Sequence, residues 1–220
     1  VGRDNYMGLE KYFQLEGLAY RLVPYSVPSS DGQTGTVHTE KMYDRLMNQF
    51  NWGGLNNPEL YFDETNTRMV MNFRNNYSRL AESLYQKGET EKAAAVLDKC
   101  MSEFPAEVVK LNYFSIPIID LYYKLGETNK GRDVLANMIE NQMTTIKYLK
   151  QFENSSRLKQ DIGITNQILS SLSRILQIHK IQDASYSYTN ENDVYYREKD
   201  NTKEKVDFKT YLINTFMDEY

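Results

Sequence analysis

The chain has 220 residues, 40% of them hydrophobic and 13% aromatic, with 26 Lys plus Arg against 30 Asp plus Glu for a formal net charge of −4. This is enough apolar material for a core and lies far from the composition of disorder. An acidic balance without clustered Lys and Arg excludes a nucleic-acid footprint; no run approaches the roughly 18 to 20 apolar residues that cross a bilayer; and the single cysteine, Cys100, excludes an internal disulfide framework or a cysteine-built zinc site.

Residues 1–5 lack a charged stretch followed by an apolar one, so any targeting address is expected upstream of Val1. Residues 8–24 begin with Leu9, Tyr12 and Phe13 at helical spacing and then alternate through Leu18, Tyr20 and Leu22, which predicts a short helix followed by an extended piece. Pro24, Pro28, Ser29, Ser30, Asp31 and Gly32 mark an exposed loop to about residue 35. Thr39 is placed to cap a helix over residues 40–50, with Met42, Leu46, Met47 and Phe50 on one face. Asn51, Trp52, Gly53 and Gly54 stop it.

Asp63, Glu64 and Thr65 suit a helix start, and Met69, Phe73, Tyr77, Leu80 and Leu84 recur at three- and four-residue steps. A long amphipathic helix is expected, ending at Gly88. Thr90 is placed to cap the next one, which turns Ala93, Leu97, Cys100 and Met101 inward and ends near Pro105. In that setting Cys100 reads as a buried structural thiol. A further stripe of Ile164, Ile168, Leu172, Ile175, Leu176 and His179 predicts a helix over residues 164–181. Residues 183–207 are polar and read as a surface excursion, and residues 208–217 as a last amphipathic helix.

The turn Gly88-Glu89-Thr90-Glu91-Lys92 returns at position 126 as Gly126-Glu127-Thr128-Asn129-Lys130, an offset of 38 residues, which implies two helical hairpins with the same turn. The first hairpin resembles the tetratricopeptide repeat through Tyr77, Leu80, Ala81, Leu84, Ala93, Leu97 and Pro105 at the consensus spacings. Small Ala81 and Ala93 let two helices approach closely while the large residues fill the space between hairpins. The second hairpin departs from the pattern. Gly131 stands where Ala is expected, Pro117 demands a kink or a late helix start, and the long offset requires about four residues to loop out around positions 108–111.

The expected fold is mostly α: tetratricopeptide-like stacked helical hairpins in a right-handed superhelix. Residues 1–64 would pack on a helical domain of residues 65–182, followed by residues 183–220. First helices of such hairpins line a concave surface, where Asn75, Arg79, Glu82, Asp120, Tyr123 and Lys124 occupy the outward positions. Their mixed charge suits a peptide or polar ligand, or equally an ordinary solvated face. Trp52 with Gly53 and Gly54, near Tyr61 and Phe62, reads as an aromatic platform for a sugar or peptide, or as core under a loop.

No catalytic residues, metal site or cofactor are expected. His38 and His179 are too few for the usual zinc ligand sets. The adjacent carboxylates Asp63 and Glu64 fit a helix start better than an acid–base pair, and no phosphate loop or nucleophile elbow occurs.

The segment Asn5-Tyr6-Met7-Gly8-Leu9-Glu10-Lys11-Tyr12-Phe13-Gln14-Leu15-Glu16-Gly17-Leu18-Ala19-Tyr20-Arg21-Leu22-Val23-Pro24 resembles the start of the soluble C-terminal region of a large family of bacterial polytopic membrane proteins of unknown function. The likeness continues through residues 42–53, 61–72 and the repeats, to about position 135. It implies an upstream membrane domain similar to glycosyltransferases of the protein O-mannosyltransferase type, with this chain as a periplasmic or extracytoplasmic tail. The function expected is a non-catalytic protein-interaction or scaffolding module that binds a protein, a peptide or its own membrane domain. The alternative is an accessory domain of the enzyme that holds an acceptor or glycan.

Overall fold

The N-terminal alternation closes into a small sheet. In the computed structural model, which describes residues 6–29, 31–149, 151–152, 156–179, 196–199 and 202–205, a 3-10 turn at Glu10–Tyr12 leads into β1 (Phe13–Leu15). The chain reverses through Gly17 and returns as β2 (Tyr20–Leu22), antiparallel from Phe13↔Leu22 to Leu15↔Tyr20. β3 (Thr36–Val37) lies parallel to β1 on its other edge, giving the order β2-β1-β3. The expected opening helix is therefore only a single turn, because Phe13 and Leu15 gain more from ladder bonds and burial than a lone helical turn supplies.

α1 (Thr39–Asp44) runs into a π-helical turn, Arg45–Gln49. Its cap is His38, not Thr39: the imidazole Nδ1 accepts from the Lys41 N–H at 3.5 Å. Thr39 lies inside the helix, buried, with its hydroxyl 2.8 Å from that of Ser83. It ties α1 to the next helix.

α2 (Glu64–Gln86) starts where the acidic residues predict, the Asp63 carboxylate accepting from the Asn66 N–H at 2.7 Å. α3 (Thr90–Glu103) begins one residue earlier than expected, so Thr90 is its first residue and Glu89 precedes it without a side-chain cap bond. α4 (Ile116–Lys124) carries Pro117 in its first turn, the late start rather than the kink, where the missing N–H costs nothing. α5 (Thr128–Leu149) completes the second hairpin and α6 (Ser156–Ile178) follows.

The repeated Gly-Glu-Thr turns have one physical cause. Gly88 and Gly126 both sit at φ +79°. In each, the glycine N–H and the following Glu N–H reach back to close the helix end: Gly88 to Tyr85 and Glu89 to Leu84, then Gly126 to Tyr123 and Glu127 to Tyr122. These paired bonds satisfy carbonyls left over at the helix C-terminus, and the left-handed position favours glycine.

Between the hairpins the core is filled by Tyr77, Leu80, Ala81 and Leu84 of α2, Ala93, Val96, Leu97 and Cys100 of α3, and Ile118, Ile119, Leu121 and Tyr122 of α4. Gly131 of α5 marks a close approach: a Cβ there would lie 3.2 Å from the Tyr122 Cβ and from the Tyr123 ring. Asp98 joins the hairpins, accepting from the Tyr122 hydroxyl at 3.1 Å and pairing with Lys130 at 2.8 Å.

The connection expected to loop out extends from Phe104 to the 3-10 turn Tyr113–Ser115. Arg74 organises it. This guanidinium is fully buried and makes five hydrogen bonds, all to backbone carbonyls: those of Phe104, Pro105, Val109 and Lys110.

The chain divides into two compact units, Val1–Leu172 and Ser173–Tyr220. In α6, Thr165, Ile168, Leu169 and Leu172 are buried, whereas Ile164, expected on the buried stripe, is 49% exposed. The helix starts earlier than its stripe predicts. In the second unit, β4 (Tyr196–Lys199) and β5 (Thr202–Lys205) form an antiparallel hairpin from Tyr196↔Lys205 to Lys199↔Thr202, inside the stretch read as a polar excursion. The helix expected over residues 208–217 lies outside the described residues. Among the described residues no helix is long and apolar enough to cross a membrane.

Candidate functional site

Asn75, Arg79 and Glu82 stand at steps of four and three along α2, and Asp120 and Lys124 at a step of four along α4, so each set shares one helix face. α2 and α4 pack together, which brings part of the two sets into one surface.

The N-terminal half of that surface is already taken. Arg79, expected to point outward, is only 4% exposed because the loop between β2 and β3 lies across it. Its Nε donates to Asp31 Oδ2 at 2.6 Å, and Nη1 donates to the Tyr20 hydroxyl and the Thr34 carbonyl, both at 3.2 Å. Nη2 donates to the Gly35 carbonyl. Asn75 exchanges amide bonds with Gln33, at 2.9 and 3.3 Å. Burial alone would raise the Asp31 carboxyl, but hydrogen bonds from the Ser29 hydroxyl and Arg79 outweigh it and hold the group below the usual carboxylate range. Gly35 fits here because a Cβ would come within 2.7 Å of the Tyr20 ring. A side chain on α2 thus holds a polypeptide segment by an ion pair with Asp31 together with the Thr34 and Gly35 carbonyls.

The other half stays open. Lys124 pairs with Asp120 at 2.8 Å, lies 3.8 Å from Glu82 and stands 6.0 Å from the centre of the Tyr85 ring. Burial would lower the Lys124 ammonium, yet Asp120 and Glu82 more than offset it and hold it above its ordinary range. Gln86 donates to Glu82 at 3.0 Å. With Arg79 matched by Asp31, two carboxylates against one ammonium leave this patch net acidic. The cleft where it meets the loop is lined by Asp31, Arg79, Glu82, Ser83 and Gln86 among others and encloses about 40 Å³. That is room for a few waters, so the site is a surface and not a pocket.

Two expected members belong elsewhere. Tyr123 turns its ring toward Gly131 of α5 and away from the shared face. Trp52 is no platform: it is 8% exposed and packed among Phe50, Phe73, Tyr77 and Phe104, with ring centres 4.9 to 5.9 Å away. The indole is the largest apolar group in its neighbourhood, and burial among rings outweighs display. Tyr61, expected beside it, is 90% exposed. Sequence reasoning did not identify Asp31, Gln33, Tyr20 and Tyr85 as parts of this surface. Only the charge at Asp31 offered a local hint, since its partner lies 48 residues away.

Among the described residues no group of three or more His, Cys, Asp or Glu is placed to hold a metal ion. Comparison with family models, curated proteins and solved structures finds no match for this chain.

Proposed function

We propose that this chain is a non-catalytic protein-interaction module whose α2/α4 face takes an extended, basic peptide segment. The observation that carries the reading is Arg79: one half of the face already holds a segment of the chain, through an ion pair with Asp31 and the Thr34 and Gly35 carbonyls. The other half offers a flat, net acidic patch of Glu82, Asp120 and Lys124 with the Tyr85 ring beside it. A peptide laid along it would bring Lys or Arg to the carboxylates.

The resemblance of residues 5–24 supports, as part of the same proposal, a role as the extracytoplasmic tail of a membrane protein of glycosyltransferase type, with the partner segment on a protein acceptor or on the membrane domain. Burial of Trp52 removes the aromatic support for the glycan-holding alternative.

The test is selection of random linear peptides displayed against the purified chain. Basic peptides should be enriched, and Glu82→Lys should weaken them by about fivefold or more, since attraction is exchanged for repulsion at a half-exposed charge. Enriched peptides indifferent to Glu82→Lys would refute this site.

A further inference from the structure

The strand β2 ends the sheet, and among the described residues no other strand pairs with its outer side. All three of its residues are exposed. The ladder shows which backbone groups face outward. Glu16 donates to the Ala19 carbonyl and Val23 to the Tyr12 carbonyl, so residues 19, 21 and 23 point their backbone groups at β1. By alternation, the N–H and C=O groups of Tyr20 and Leu22 point to the open edge. Such an edge is a template for another strand.

Side chains beside the edge state what that strand should carry. Tyr20 and Leu22 lie on one face of β2 and are 43% and 58% exposed, and Leu18 in the bend that precedes the strand is 40% exposed. Natural edges are usually blunted, so this apolar row is unusual. Arg21 projects to the opposite face, where it, Lys41 and Arg45 surround the single buried carboxylate of Glu16 at 3.0, 2.9 and 3.2 Å. Three cations on one carboxylate leave a surplus of two positive charges.

We propose that the open edge of β2 docks an extended segment of another protein that alternates apolar, acidic, apolar, pairing with Tyr20, Arg21 and Leu22. Main-chain bonds to Tyr20 and Leu22 supply the ladder, the apolar residues cover the Leu18, Tyr20 and Leu22 row, and the acidic residue sits opposite Arg21. A second copy fits less well, because the two-fold pairing of Tyr20 with Leu22 sets Arg21 directly against Arg21. This edge shares Tyr20 with the covered half of the α2/α4 face but has no residue in common with the open patch of Glu82, Asp120 and Lys124.

The probe is a capped peptide of alternating Val and Glu, with its Val and Lys counterpart as control, titrated into the full chain and followed by amide hydrogen exchange. The Val/Glu peptide should protect the Tyr20 and Leu22 amides and bind about fivefold tighter than the control, and Arg21→Glu should reverse that order. Leu22→Pro removes an outward N–H and one exposed side chain of the apolar row but no ladder donor to β1, so it should change the unfolding temperature little and abolish binding. Equal affinity for the two peptides, absence of protection at those amides, or protection arising from self-association without peptide overturns the proposal. None of these outcomes bears on Glu82, so the two sites fail separately.

Discussion

Replacing Arg74 tests how a buried cation without a carboxylate partner is supported. Burial pulls its guanidinium down to about 10, which corresponds to a desolvation cost on the order of 3 kcal/mol. Five bonds to carbonyls offset that cost, two of those carbonyls, of Phe104 and Val109, being held in the interior. Arg74→Met leaves both carbonyls unsatisfied at about 1–3 kcal/mol each but removes the desolvation cost, so the net effect lies between a gain of about 1 and a loss of about 3 kcal/mol. Arg74→Lys keeps a buried charge and has three donors in place of five, so its loss should reach about 3–5 kcal/mol. The conservative change is therefore the more damaging. Urea denaturation of the three proteins by far-ultraviolet circular dichroism measures both changes. A lysine variant within about 1 kcal/mol of the parent, or more stable than the methionine variant, refutes the reasoning.

Glu16 has its carboxyl held below its ordinary value of 4.5, first by the hydrogen bond from Lys41, against the opposing effect of burial, and then by Arg21. A depressed folded value means the stabilisation is complete at neutral pH and disappears as pH falls from about 4.5 through the folded value. Glu16→Gln should cost about 1–2 kcal/mol at pH 7, modest because Arg21 and Lys41 are half exposed, and thermal melts should show the gap from the parent closing in acid. Cys100 is fully buried and its thiol is pushed up to about 12 by burial; iodoacetamide at pH 8 should label it only in denaturant, and native labelling at the denatured rate would contradict the packing. Gly88→Ala and Gly126→Ala should each lose about 1 kcal/mol. Open space surrounds both positions, so a large difference between the two in chemical denaturation would show that the turns are not equivalent.

Much of the helical frame is legible because its causes are local. Asp63 caps the residues just after it, Gly88 and Gly126 terminate helices with their own neighbours, and Ala81 and Ala93 announce close helix contacts by size alone. Cap identity was less legible: His38 displaced Thr39 because the Thr39 hydroxyl found Ser83, 44 positions away. In the same way Phe13 read as part of a helix until strands on both sides of β1 claimed its segment.

The site was harder to read. A helix face at regular spacing says which residues stand together, and Glu82, Asp120 and Lys124 do meet. It does not say which part of that face another segment will cover. Arg79 was buried by Asp31, Thr34 and Gly35, and Trp52 by four rings, two from α2 and one each from Phe50 and Phe104. By itself the sequence determined the mostly helical class, the repeated turn and the paired hairpins, since backbone capping and amphipathic period act over a few residues. Tertiary structure alone decided which charges face solvent and which edge of the sheet stays open, because burial and charge pairing depend on neighbours brought together from 30 to 50 positions away.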